Sequence, residues 1–259
     1  MPPHLPDHLP DGFAVDSRGA LGLTRHRLDG LELLVPSRGL RVRPDADDHR
    51  AGHAAAVLAG VKPGSVICGT TAAHLWGLPL PPWLSVADDS QIEVAAVPGG
   101  SHADRPNVRG RRLVVPPDHR TAIADVAVTT VPRTWLDCAA DLPLEYVVAM
   151  GDFALHRRLT TEAELDAMLH WAFRRRGVGV ARRARPILDH RAESPGESRL
   201  RALLVVGGVP RPECNRDIIE RGEWLARADL AWPEQRVIVE YDGVVHLDEK
   251  QRRKDATRR

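Results

Sequence analysis

The apolar positions divide this chain into helical and strand-like stretches. After a Pro- and His-bearing start, residues 16–31 read as two short helical pieces, the second opened by Thr24 as N-cap ahead of Arg25-His26-Arg27-Leu28. Residues 31–35 and 40–42 are strand-like and flank Pro36-Ser37-Arg38-Gly39, a hairpin turn signal, so helix, helix and hairpin follow in winged-helix order. Residues 49–58 are alanine-rich and helical in pattern, and Cys68-Gly69-Thr70-Thr71-Ala72-Ala73-His74-Leu75-Trp76-Gly77-Leu78-Pro79 predicts a helix stopped by Gly77 and Pro79. Residues 91–97 and 112–115 are strand candidates joined by a polar loop over 98–110. Helices are expected over 131–140 with Pro132 in the first turn, over 144–155, and from the capping box Thr161-Glu162-Ala163-Glu164 through Trp171. A helix from Ser194 to about Val206 follows, then strands over 223–232 and 237–242 around the turn Pro233-Glu234-Gln235-Arg236. The expected fold class is α+β, with no internal repeat.

Composition narrows this picture. The chain has 259 residues, 43% apolar and 27% charged, which fits folded domains and excludes a highly charged disordered chain. Four parts are expected: a disordered tail over 1–10, a winged-helix-like DNA-binding module over 11–48, a middle region over 49–190 and a C-terminal domain over 191–259. No apolar run reaches the ~18 residues of a membrane span, and the start lacks a signal peptide's apolar core, so a cytoplasmic location is expected. Cys68, Cys138 and Cys214 form no CxxC pair, which excludes a zinc ribbon or disulfide framework and leaves buried, reduced thiols.

Three lysines (Lys62, Lys250, Lys254) among 36 basic residues leave 33 arginines, yet the net charge is only +1. A nucleic-acid surface must therefore come from local clustering. Arg25, Arg27, Arg38, Arg41 and Arg43 would dress the second helix and the wing, either as phosphate contacts or as a solvated face. Arg174-Arg175-Arg176 and Arg182-Arg183 form another basic run, suited to a DNA backbone or to a helix end. His74 and Trp76 can stack on a base or pack in the core.

The last quarter carries the most chemistry. With Trp232 opposite Val237 in a symmetric hairpin, Asp229 falls opposite Glu240 and Arg227 opposite Asp242, all on one sheet face. Two opposed carboxylates repel by about 0.2–1 kcal/mol on an exposed surface and more if buried. A divalent metal offsets that repulsion and activates water; an arginine neighbour, Arg227 or Arg236, offsets it without chemistry. Glu197 sits either in a site or only in the capping box Ser194-Pro195-Gly196-Glu197. Asp242 is either part of the site or the ion-pair partner of Arg227. His246 is a proton shuttle, a phosphate contact or a surface histidine.

From Ser194 onward the chain resembles the PD-(D/E)xK nuclease superfamily, especially the small endonuclease domains related to the very-short-patch repair endonuclease. The resemblance rests on the helix glutamate, Ala228-Asp229-Leu230, a short turn and Val239-Glu240-Tyr241-Asp242-Gly243-Val244-Val245-His246. It implies a restriction-endonuclease-like fold, Mg2+ or Mn2+ as cofactor, Asp229 and Glu240 as metal ligands, and Glu197, Asp242 and His246 as further catalytic residues. Asp242 stands where the superfamily usually has lysine, in agreement with this subgroup's E-x-D-G-x-x-H variant, which leaves the general base open. Residues from about 13 to 155 resemble AbiEi-type antitoxins of type IV toxin–antitoxin systems, through the winged-helix region, Ala72 to Pro79, and Val131-Pro132-Arg133-Thr134-Trp135-Leu136-Asp137. The resembling nuclease domains continue past the helical run 248–258 to a further strand and helix, so the domain is expected to be incomplete at Arg259.

The leading expectation is a metal-dependent DNA endonuclease with DNA as partner, needing no membrane and no small-molecule cofactor. The alternative is a non-catalytic DNA-binding regulator or antitoxin. A third reading is an interaction module that neutralises a toxin protein.

Overall fold

The computed structural model describes residues 6–29, 31–85, 91–95 and 107–242, and it is α+β. Strand β1 (Gly12–Ala14) leads through a 3-10 turn (Val15–Gly19) into helix α1 (Arg25–Asp29), capped where the Arg27 amide donates to Thr24 Oγ1 at 3.2 Å. Strand β2 (Leu40–Val42) pairs antiparallel with β1. The other arm of the expected wing contracts to a single bridge, Leu34 to Val42. The Leu33 amide turns back onto Leu31 O at 3.0 Å, and Pro36 has no N–H to extend the ladder. Within the stretch expected as a disordered tail, residues 6–10 are among those described and Leu9 is buried with Phe13, Leu23 and Leu28; residues 1–5 lie outside the described residues.

Helix α2 (His49–Ala59) starts at Asp48, whose carboxylate accepts from the Arg50 and Ala51 amides at 2.9 and 3.0 Å. It lies so close to β1 that a Cβ on Gly12 would fall 1.7 Å from Gly52 O, so only glycine allows this contact. Ala14, Leu40 and Val42 consequently share one core with Val57, Ile67, Val94 and Val128.

The larger sheet contains β3 (Val66–Ile67), β4 (Ile92–Ala95), β5 (Val108–Arg111), β6 (Arg120–Ile123) and β7 (Val126–Thr129), in the order β5-β4-β3-β7-β6. Helices α3 (Gly69–Leu75) and α4 (Pro82–Ser85) lie between β3 and β4 in the chain. The strand expected over 112–115 is displaced to β5, within the expected loop. Buried Glu93 draws it there, accepting from Arg109 Nη1 at 3.0 Å and Arg111 Nη1 at 2.9 Å while β5 runs parallel to β4. The β6–β7 hairpin turns on Ala124 and Asp125, both at positive φ, and carries no strong sequence signal. Trp76 Nε1 donates to Thr129 O at 2.9 Å and His74 Nε2 lies 2.9 Å from Asp48 Oδ2, so both side chains serve the fold.

A helical block follows: α5 (Val131–Cys138), α6 (Leu144–His156), α7 (Glu162–Trp171) and α8 (Val178–Ala184). The Thr161–Glu164 capping box forms in both directions. Trp135, Met150 and Leu165 fill the core, and Cys68, Cys138 and Cys214 are buried free thiols. Helix α9 (Pro195–Val206) packs on α6 and precedes an antiparallel sheet of β8 (Glu213–Glu220), β9 (Glu223–Trp232) and β10 (Val237–Val239), in the order β10-β9-β8. No helix among the described residues is long and apolar enough to cross a membrane.

One buried ion pair ties this last unit to the block. Arg201 of α9, fully buried, donates to Asp152 of α6 and through Nη1 to Cys214 Sγ of β8 at 3.1 Å. Asp152 Oδ1 also accepts from the Asp189 amide at 2.7 Å. Truncating Asp152 to alanine leaves an uncompensated guanidinium in the core, and we expect a loss of about 3–5 kcal/mol in urea denaturation. The double variant Asp152→Leu/Arg201→Met should recover most of it; a loss under about 1 kcal/mol in the single variant would show that the pair is not structural.

Candidate functional site

Hairpin β9–β10 has the register read from its turn, with Val237, Ile238 and Val239 opposite Trp232, Ala231 and Leu230. Continuing that register places Glu240 opposite Asp229. Leu230, Trp232 and Val239 pack with Leu200 and Leu204 of α9, which sends the alternate position Asp229 to the other side of the strand. Beyond Val239 the ladder gives way to a side-chain contact: the Tyr241 amide donates to Asp229 Oδ2 at 2.8 Å. The Tyr241 ring lies over the first turn of α9, where a Cβ on Gly196 would sit 2.1 Å from it. Gly196 thus lets the Glu240-Tyr241-Asp242 segment close onto the helix that carries Glu197.

Glu197 stands at the start of the helix but does not close the expected capping box, because its carboxylate accepts from the Glu193 amide. Its amide donates to the N-cap Ser194 Oγ at 3.2 Å. Its carboxylate is buried, and Oε2 accepts from the Glu193 amide at 3.1 Å and from Asn215 Nδ2 at 2.9 Å. Asn215 is the residue that the sequence pattern does not reveal. Cys214 opposes Leu230 and Arg216 opposes Ala228, so Asn215 falls opposite Asp229, at φ +46° where asparagine is tolerated. Asn215 of β8, Asp229 of β9 and Glu240 just past β10 therefore form a polar row, and Asn215 links the row to Glu197. Arg227 does not pair with Asp242. It donates to Glu193 Oε1 at 2.6 Å and to Asn215 O at 3.3 Å, so Glu193 is a second acidic residue beside the row.

The carboxylates feel one another. Partial burial pushes the Asp229 carboxyl above its ordinary range, and the charges of Glu197 and Glu193 add to this against the Tyr241 amide and Arg227. Partial desolvation raises Glu240 likewise, followed by the charge of Asp229 and then that of Glu197. Among the described residues no group of three or more His, Cys, Asp and Glu is gathered into a metal-holding cluster, so this is a coupled set that has not closed into a coordination sphere. A cleft of ≈110 Å3 lined by Phe153, His156, Arg157, Glu193, Ser194 and Ser198 adjoins the start of α9.

His246 lies outside the described residues, as does the run 248–258. At the N-terminal end, Arg25 and Arg27 are exposed on α1 and Arg38 is exposed in the turn before β2. Arg41 Nη1 donates to Leu40 O at 2.8 Å, and Arg43 is held by Asp45 at 2.8 Å. The structure thus brings together Asp229, Glu240 and Glu197 and keeps the N-terminal arginines as a separate group.

Compared with known protein families, the chain matches none. Two proteins of Mycobacterium tuberculosis are similar to it, the uncharacterized protein Rv2248 of strain ATCC 25618 / H37Rv and the uncharacterized protein MT2308 of strain CDC 1551 / Oshkosh. Each is 30% identical over 201 residues, which cover 75% of this chain and 69% of the relative. Neither name assigns an activity.

The raised carboxyls have a stability consequence of definite sign. A carboxyl whose folded pKa exceeds its unfolded one disfavours folding above that folded pKa, and the penalty is relieved as pH falls through it. Asp229→Asn and Glu240→Gln should each stabilise the metal-free protein at neutral pH by about 0.2–1 kcal/mol, reduced by solvent screening, or roughly 1–3 °C in Tm. The advantage should shrink as pH falls through the carboxyl range. Destabilised variants in a thermal melt would show that the two carboxylates support each other's ionisation.

Proposed function

The chain belongs to the same family as these two mycobacterial proteins, and for it we propose a metal-dependent DNA endonuclease that hydrolyses phosphodiester bonds. The observation that carries this reading is the opposition of Asp229 and Glu240 across the hairpin, with Glu197 coupled to both and both carboxyls raised. Such a set is under electrostatic tension that a cation relieves, and its donors are hard oxygens of the kind Mg2+ and Mn2+ take. Asp229 and Glu240 would hold the ion, with Glu197 as the third acidic group. When bound, the ion supplies a Lewis acid for the phosphate and lowers the pKa of a water nucleophile.

The protein's own residues do the positioning. The Tyr241 amide fixes the Asp229 carboxylate, Asn215 fixes Glu197, and Arg227 is occupied by Glu193, which leaves Asp242 outside that ion pair. Asp242 and His246 remain the candidates for moving a proton. Arg25 and Arg27, exposed on a capped helix, with Arg38 and Arg41 of the following turn and strand, supply duplex contacts through phosphate. A cytoplasmic setting belongs to the same proposal.

A second reading is favoured by one observation, that Asp229 and Glu197 already accept hydrogen bonds from the Tyr241 and Glu193 amides and from Asn215. In it the chain is a non-catalytic, antitoxin-like DNA-binding regulator with a toxin protein as partner. Plasmid cleavage with Mg2+ or Mn2+ separates the two: we expect nicking by the wild type and a fall of roughly 100-fold or more in Glu240→Ala. Equal cleavage by both proteins would remove the site, and no cleavage by either would leave the regulator. In both readings Arg25→Ala/Arg27→Ala should weaken duplex binding and flatten the slope of log K against log salt by about 0.9 for each phosphate left without its arginine.

A further inference from the structure

The corner between α7 and α8 has an arrangement that neither the hairpin site nor the N-terminal arginines explain. Phe173 is 64% exposed, and cations lie against its ring: Arg174 Cζ is 5.7 Å and Arg182 Cζ 5.9 Å from the ring centroid. Both distances are within cation–π range. Arg175 repeats the motif one ring inward, its Cζ 4.0 Å from the centroid of Trp171, which is itself held edge-on by buried His119 at 4.3 Å.

Only part of the charge there has an acidic partner among the described residues. Arg176 is paired with Asp141, and Arg185 with Glu162 and Asp166. Arg174, Arg175, Arg182 and Arg183 are exposed and make no ion pair among the described residues. Here a phenyl ring is flanked by two guanidinium groups, those of Arg174 and Arg182. A partner with a flat π face beside regularly spaced anions matches that chemistry, and a nucleic-acid strand has both. A base inside a duplex already has both faces stacked, so the ring can engage only an unpaired nucleotide.

We propose that Phe173, with Arg174, Arg182 and Arg183, is a docking surface for unpaired nucleotides of a DNA strand. The choice of DNA rests on the endonuclease reading; the stacking and phosphate contacts do not. The surface is sequence-tolerant, because every base offers a face to the ring. Helix α6 packs against both α8 and α9, so one helical core carries this corner and the helix of Glu197. A strand opened near the hairpin site would have a place to lie.

The test is fluorescence anisotropy of the full chain with a labelled oligo-dT in EDTA, where cleavage does not interfere. Phe173→Ala should weaken binding roughly 5- to 150-fold, the range for loss of one stacked base. Phe173→Trp should retain binding, and unchanged circular dichroism would follow from the exposure of the ring. Arg174→Ala/Arg182→Ala should flatten the salt slope by about 0.7 for each phosphate that is no longer neutralised. Wild-type affinity in Phe173→Ala overturns the proposal, and tighter binding of the matching oligo-U overturns DNA as the ligand. A Phe173 effect in a protein that fails to cleave plasmid upholds the surface and overturns the endonuclease reading alone.

Discussion

Arg201 is the constraint on which the C-terminal unit depends. Its guanidinium is fully buried at the meeting of α6, α9 and β8, where it pairs with Asp152 and reaches Cys214. A charge removed from water this completely must be matched, so the three elements can meet only in the arrangement that matches it. Asp152 extends the constraint to the Asp189 amide, and Asp189 in turn holds Arg191 through three bonds near 3 Å. The segment from Asp189 to Arg201 is thereby fixed before its acidic residues are considered. The start of α9, and with it Glu197, takes its place from this network.

The site sits on that frame as a region of tension. Elsewhere buried carboxylates have cationic partners: Glu93 has two arginines and the Thr70 amide, and Asp189 lies well below its ordinary value, its burial outweighed by the hydrogen bonds from Arg191. Burial pushes Asp137 and Asp152 up, but each is paired with an arginine, whereas Asp229 and Glu240 are pushed up beside other acids. Nearby Arg227, the cation best placed to neutralise them, is engaged by Glu193. Acids held beside other acids, with that arginine engaged elsewhere, carry a stability penalty that a bound cation removes.

Much of this was legible in the sequence where local rules acted alone. The turn Pro233 to Arg236 set the β9–β10 register, and the caps at Thr24, Thr161 and Ser194 placed their helices. The parts that escaped depend on distant partners. Strand β5 is polar and is drawn to β4 by Glu93, and β8 is charged, kinked at Asn215 and shifted in register after Ile218, so neither alternates as a strand should. Missing β8 meant missing Asn215, the residue that joins Glu197 to the row of Asp229 and Glu240. The role of Glu197 was ambiguous for the same reason: one residue both stands at the start of a helix and reaches a strand that the pattern does not announce.

Calorimetric titration of the metal-free protein with Mn2+ decides whether Asp229 and Glu240 form a cation site. We expect binding by the wild type that strengthens as pH rises through the carboxyl range and protons leave the raised carboxyls, and its loss in Glu240→Gln. Equal Mn2+ binding by the wild type and Glu240→Gln, or binding independent of pH, would contradict such a site.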